Sequence, residues 1–247
     1  MKKTYIAGFI ILFCFCIFVF FLKTNKVFTF KKYNNSGKLI GLYEYIIKNG
    51  NPIQQGKFTN FNDNGVKIAE GNFLNNEPNG ICFYYYDNGK IESTQFKKTG
   101  KITEESTFYN YNGLIRKYIF YNTLGEAYFI IDFDEKGVRE YHGSTIKEIY
   151  QCNIKNDLNL KVGDVLKYSY VVANIPNSKR SVKIENIGVD SAKSKRTIKR
   201  LPSTRIDVKE ILTKRGKNTI KAIVQYEFDD KITNSINDTI TFNINVK

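Results

Sequence analysis

Tryptophan is absent from this chain of 247 residues, and methionine and histidine occur once each. A single histidine, His142, excludes any metal centre built on several histidines and leaves one residue for any Ser–His or Cys–His relay. Four cysteines make no disulfide framework: Cys14 and Cys16 sit in an apolar N-terminal run, while Cys82 and Cys152 fall in different regions of the chain. No phosphate-binding glycine loop or dinucleotide fingerprint appears, because the glycines stand where strands turn rather than at helix starts. Asn60, Asn62 and Asn64 alternate as calcium ligands do in an EF-hand, yet no bidentate acid closes a loop after them. Acidic groups occur at Glu104/Glu105, Asp229/Asp230 and Asp132/Asp134/Glu135; adjacent residues point to opposite faces of a strand, so the first two pairs do not form a proton-sharing dyad unless they sit in turns. The sequence therefore predicts no catalytic residue, no cofactor and no metal site.

What is present is positive charge, unevenly placed. The formal net charge is +14. Residues 1–32 hold 6 lysines and no acid, residues 33–146 are close to neutral with 12 basic and 13 acidic side chains, and residues 147–247 hold 20 basic and 11 acidic. Within the first segment, Tyr5 to Leu22 is an uncharged apolar run of 18 residues, enough for about 27 Å of helix, close to a bilayer core. Lys2 and Lys3 precede it, but no small-x-small cleavage site and no lipobox follows, so it reads as an uncleaved signal-anchor; the alternative is a signal peptide cut at an atypical site. Lysines flank both ends of the run, so the charge rule alone does not orient it. A two-residue basic start before a long apolar run is the usual export form, which places the bulk of the chain outside the cytoplasm.

From Tyr33 onward a large apolar residue is repeatedly followed, four positions later, by a glycine: Tyr33/Gly37, Ile46/Gly50, Phe61/Gly65, Tyr85/Gly89, Phe96/Gly100, Tyr109/Gly113, Tyr121/Gly125 and Phe133/Gly137. These glycines stand mostly 11 to 15 residues apart, the length of a strand and its turn, which predicts a β-meander of similar hairpins. Between turns the pattern alternates: Ile81, Phe83 and Tyr85 face one way, and Cys82, Tyr84 and Tyr86 the other.

The segment Phe61 to Gly100 resembles MORN-type repeats, and more closely the bacterial variant in proteins labelled YwqK-like antitoxins. The resemblance rests on Asp63-Asn64-Gly65, Glu70-Gly71-Asn72-Phe73, Pro78-Asn79-Gly80, Tyr86-Asp87-Asn88-Gly89-Lys90 and Tyr111-Asn112-Gly113. It covers residues from about 33 to 143, without the Gly-x-Trp that often opens such units. It implies an antiparallel β-array used for binding or scaffolding, and no active site.

After residue 146 a different strand pattern begins. Strands are predicted at 149–154, 158–162, 165–172, 181–187, 205–211, 219–228 and 239–246. The inward phase is read as Leu166/Tyr168/Tyr170/Val172, Val182/Ile184, Ile206/Val208, Ile220/Ala222/Val224/Tyr226/Phe228 and Ile240/Phe242/Ile244/Val246. Seven such strands in about 100 residues suggest a sandwich that is immunoglobulin-like in architecture only, since it lacks the Cys…Trp…Cys core.

The fold class expected is thus all-β: a transmembrane helix and basic linker over 1–32, MORN-like hairpin repeats over 33–146, and an immunoglobulin-like sandwich over 147–247. Candidate partner-binding residues are Tyr84, Tyr86, Tyr109 and Tyr111 on the repeats, since tyrosines give broad apolar area with a polar tip. Lys193, Lys195, Arg196, Lys199 and Arg200 are a candidate patch for an anionic envelope polymer or lipid, against the plainer readings of a solvated linker or a lysine-protected edge strand. Nucleic acid is disfavoured, because no nucleic-acid-binding fold is visible. The functional reading is a non-catalytic, membrane-anchored protein of the cell envelope that binds or scaffolds another protein; the alternatives are an antitoxin-like regulator acting through the repeat face, and a carboxylate-using hydrolase.

Overall fold

Among the described residues, every element in the computed structural model is a β-strand. The structure describes residues 26–122, 124–151, 160–189, 195–200, 204–230 and 233–247. The expected transmembrane helix, Cys14, Cys16, Cys152 and Lys193 lie outside those residues. Two compact units emerge, one running to Gly89 and including Lys97–Gly100, the other made of Lys90–Phe96 and Lys101–Lys247. The change of strand pattern read at 146/147 lies within the second unit.

In the first unit β1 (Phe28–Tyr33), β2 (Leu39–Lys48), β3 (Asn51–Phe61), β4 (Lys67–Leu74) and β6 (Gly80–Tyr85) are neighbours in that order, with the two-residue β5 (Glu77–Pro78) paired to β4. Strand β1, except for its last residue, falls inside the segment read from sequence as a basic linker.

Two kinds of turn build these hairpins. In the wide turns a glycine N–H returns to the carbonyl three residues earlier, Gly37 to Asn34, Gly65 to Asn62 and Gly89 to Tyr86, and in the first two the asparagine N–H bonds the carbonyl four residues on. The asparagine side chain closes the turn: the Asn62 carboxamide oxygen accepts the N–H groups of Asn64 and Val66, as that of Asn34 accepts those of Ser36 and Lys38. The tight turns have two central residues, both left-handed: Asn49-Gly50 (φ 53° and 81°), Asn75-Asn76 (51° and 69°) and Thr99-Gly100 (49° and 75°). That is the conformation whose twist matches the flanking strands.

Alternation of the two turn types hides a longer period. Gly65, Gly89 and Gly113, each closing a wide turn, are 24 residues apart. So are Gly56, Gly80 and Glu104, all left-handed, at φ 109°, 90° and 61°. Each tight turn after the first is also stitched to an earlier strand: Asn76 N–H donates to the Gln54 carbonyl and Gly100 N–H to the Pro78 carbonyl, both at 3.0 Å. The structural unit is therefore two strands and two turns.

The first unit has a small core, Phe58, Ala69 and Cys82, with Tyr43, Phe73 and Tyr84 packed on it. Gly71 sits among these side chains, where an added Cβ would lie 2.9 Å from both the Cys82 sulfur and the Phe58 ring.

In the second unit β7 (Ile91–Lys98, its last two residues counted with the first unit), β8 (Lys101–Tyr109), β9 (Ile115–Tyr121), β10 (Ala127–Asp134) and β11 (Gly137–Gly143) continue as a meander. Two further sheets follow. One orders β12 (Ile146–Gln151), β13 (Val165–Val172), β16 (Arg205–Ile211) and β15 (Arg196–Arg200); the other orders β14 (Ser178–Ile187), β17 (Gly216–Phe228) and β18 (Ile236–Val246). The alternation read from sequence holds in β13, β16 and most of β17 and β18, with Val182, Phe228 and Ile240 only partly buried at the margin. Strand β15 replaces the linker reading of its segment and occupies a sheet edge. Of the strand predicted at 158–162, the described residues show only a bridge from Leu160 to Val246.

One hydrophobic core runs through this unit. Tyr118, Phe120, Phe129 and Ile131 from β9 and β10 join Ile146, Val172, Val224 and Tyr226. At roughly 1.5–3 kcal/mol for each fully buried large side chain, this packing is a main source of stability. The Asp238 carboxylate fastens the strand connection, accepting from the Ser144 hydroxyl (2.7 Å) and the Thr145 N–H (2.6 Å).

Candidate interaction surfaces

On the first unit, register places Phe30, Tyr43, Phe58 and Gly71 in one row across β1, β2, β3 and β4. Cross-strand neighbours in such a row share a face. The rings form a ladder: Phe28 stacks on Tyr45 (centroids 5.4 Å apart), Phe30 on Tyr43 (6.4 Å), and Tyr43 continues through Phe73 to Phe58. At the β1 end the ladder opens into a groove of about 550 Å³ lined by Phe30, Tyr43, Tyr45, Ile47, Pro52, Gln54 and Asn76. Phe30 is 54% exposed there. The Tyr43 hydroxyl donates to the Asn60 side chain at 2.7 Å, and partial burial pushes its pKa up. Sequence reading missed this groove, although Phe28/Phe30 and Tyr43/Tyr45 each show the two-residue spacing of one strand face.

The opposite face of β4 and β6 is also uncovered, with Ile68, Leu74 and Ile81 exposed. Its polar centre is internally neutralised. Lys67 Nζ lies 3.0 Å from the Glu70 carboxylate and 4.3 Å from the Tyr85 ring centroid, and the Tyr85 hydroxyl donates to Glu70. That hydroxyl bond and the Lys67 bond hold the Glu70 pKa below its ordinary value, against the opposing effect of desolvation.

The four tyrosines proposed from sequence have different environments. Tyr84 packs against the small core, its hydroxyl accepts from Lys97 Nζ at 2.5 Å, and the Lys97 ammonium lies 5.1 Å from its ring centroid. Tyr86 begins a turn, its carbonyl accepting the Gly89 N–H at 3.0 Å. In the second unit Tyr109 is half-buried at the end of β8, and Tyr111 is 54% exposed in the following turn.

The basic residues also separate. Lys195, Lys199 and Arg200 are exposed on or beside the edge strand β15. Arg196 turns inward: its Nε donates to Glu210 Oε2 at 2.8 Å, Nη2 lies 2.8 Å from the same oxygen, and Nη1 donates to the Ile184 carbonyl. Glu210 further accepts from the Tyr168 hydroxyl (3.0 Å) and from the Asn186 amide (3.3 Å), and Asn186 donates to Asn218 at 2.9 Å. Burial, with Glu210 beside it, drives the Tyr168 pKa far upward. Because Asn186 and Asn218 belong to the other sheet, the cluster clamps two sheets together, and Arg196 is a structural group there.

Among the described residues no chemistry-bearing set converges elsewhere. His142 is exposed on β11 with Nε2 3.9 Å from Glu140, and burial raises the pKa of the fully buried Cys82 thiol, which keeps it protonated. Glu105 is half-buried and accepts from the Tyr118 hydroxyl rather than pairing with another carboxylate. Among the described residues no three metal-ligating side chains come together. Set beside known protein families the sequence matches none, and it matches no curated protein.

Proposed function

We propose that this is a non-catalytic, membrane-anchored protein of the cell envelope, whose MORN-like repeats bind another protein and whose C-terminal part is an immunoglobulin-like sandwich. The anchor reading is supported by the Tyr5 to Leu22 run. The repeat reading is supported by the 24-residue unit with its asparagine-closed turns, and the sandwich reading by the four-stranded and three-stranded sheets that share one core.

The observation that carries the binding role is the open aromatic groove of β1 to β3. Rigid aromatic rings supply large contact area at low conformational cost, and such an uncovered apolar site marks a protein contact. The test uses full-length protein in native membranes, crosslinked and weighed as a complex. Phe30→Ala with Tyr45→Ala should weaken a fixed-ratio complex by about 1 kcal/mol or more per anchor, insensitive to salt. Neutralising Lys199 and Arg200 should leave it intact. A complex lost only in the charge variant sinks the groove reading and moves recognition to the C-terminal sheets; a partner that is itself toxic identifies the protein as an antitoxin-like regulator.

A further inference from the structure

The chain contains five Asn–Gly pairs, at 49/50, 64/65, 79/80, 88/89 and 112/113. Such a pair can rearrange without an enzyme, because glycine leaves its own amide nitrogen sterically open to the preceding side chain. The structure distinguishes the five by what holds that nitrogen.

In three pairs the glycine N–H is already committed. Gly65 donates to the Asn62 carbonyl at 2.9 Å, Gly89 to Tyr86 at 3.0 Å and Gly113 to Asn110 at 2.8 Å. In the 112/113 pair the asparagine is held as well, since its side-chain oxygen accepts the Leu114 N–H at 3.0 Å. The fourth pair, Asn79–Gly80, is half-buried between β5 and β6, and Asn79 N–H donates to the Asn72 carbonyl at 2.8 Å.

Asn49–Gly50 differs from all of these. It is the first tight turn, and the stitch that ties Asn76 to Gln54 and Gly100 to Pro78 has no counterpart at Gly50. Both residues are exposed, as they are in the 64/65, 88/89 and 112/113 pairs, so what sets this pair apart is that its glycine N–H has no such bond. The attacking nitrogen and the carboxamide it attacks are both open to water.

We infer that Asn49 is a site of spontaneous deamidation, the preferred one of the five Asn–Gly pairs. The Gly50 nitrogen gives up its proton to solvent base and attacks Cγ of Asn49, forming the N–Cγ bond of a cyclic imide. The bond from Cγ to the side-chain nitrogen breaks, and that nitrogen leaves as ammonia with a proton from solvent. Water then opens the imide at Cγ to give aspartate, or at the backbone carbonyl to give isoaspartate, so the net change is one water in and one ammonia out.

The position gives the reaction a consequence. Lys48 pairs with Asn51 across the turn, and the next pair inward is Ile47 with Pro52, both of which line the aromatic groove. Aspartate adds a negative charge beside Lys48. Isoaspartate inserts a backbone carbon into a two-residue turn whose length sets that register.

The test is peptide mapping of full-length protein in detergent, aged in mildly alkaline buffer, with aspartate and isoaspartate resolved by fragmentation. Breaking a glycine N–H bond costs about 1 kcal/mol, so Asn49 should convert about five-fold faster or more than Asn64, Asn88 and Asn112. Unfolding the protein in urea should bring the five rates together, and Asn49→Gln should abolish the leading product without changing the far-ultraviolet spectrum. The inference is overturned if any other Asn–Gly pair in the folded protein converts as fast as Asn49, or if Asn49 leads by the same factor in urea.

Discussion

The Tyr118 hydroxyl accepts the backbone N–H of Asn174 at 2.8 Å, across 56 positions of sequence, and donates its own proton to Glu105 at 3.0 Å. A meander strand and the segment after β13 are thus joined through one phenol, with the ring buried in the shared core. Tyr118→Phe keeps the ring and removes the junction, leaving a backbone donor and a carboxylate without their partner. The expected cost is about 1–3 kcal/mol, read as a lower urea midpoint with unchanged m-value.

Glu105 itself should make stability fall as pH rises. Burial raises its pKa above the ordinary 4.5, with Glu104 adding to the effect and the Tyr118 bond and Arg180 opposing it. A carboxyl raised in the folded state binds more protons there than in the unfolded chain between the two pKa values. Stability is therefore lost as pH climbs from about 4.5 through the raised value, and the penalty is complete above it. Glu105→Gln should be more stable than the parent at neutral pH and equal to it in acid. Parallel urea titrations across pH decide this; a gap that widens toward acid would contradict it.

Glu104 occupies a glycine position of the repeat, left-handed at φ 61° where Gly56 and Gly80 stand 48 and 24 residues earlier. A side chain there adds steric strain that glycine avoids, and glycine's greater unfolded freedom offsets part of the relief. Glu104→Gly should stabilise the protein by about 0.5–1 kcal/mol and lower the Glu105 pKa by removing a neighbouring charge. Thermal melting, with carbon-13 titration of Glu105, measures both.

Arg196→Ala should destabilise by about 3–5 kcal/mol, because it leaves the Glu210 carboxylate buried without its cation. Lys199→Ala and Arg200→Ala, on the exposed edge of the same strand, should each lie within about 0.5 kcal/mol of the parent. Equal effects at all three positions would mean that Arg196 is solvated.

The local rules were legible in the sequence. Glycines at the turns and the two-residue alternation of Leu166, Tyr168, Tyr170 and Val172 report backbone and burial demands that each strand meets alone. Non-local partners were not. Arg196 reads as one more surface cation until β15 pairs with β16 and brings it to Glu210, and Tyr84 reads as free until Lys97 of another strand reaches its hydroxyl. The 24-residue unit was obscured because both turn types use glycine, and because Glu104 breaks the series that would have displayed it.

The same unit gives the chain a competitor for its own fold. Sliding one hairpin past its neighbour by 24 residues sets Gly65, Gly89 and Gly113 onto one another's turns, so turn chemistry alone does not penalise the slip. The residues that do are those that differ between units: Phe58, Cys82 and Ser106 at one position, Gly71, Gln95 and Ile119 at another. With Gly71 fitted against Phe58 and Cys82, a slipped Gln95 or Ile119 would put a side chain where there is no room. Fidelity of pairing thus resides in the departures from periodicity, and making the units more alike would speed each hairpin while degrading the choice among them.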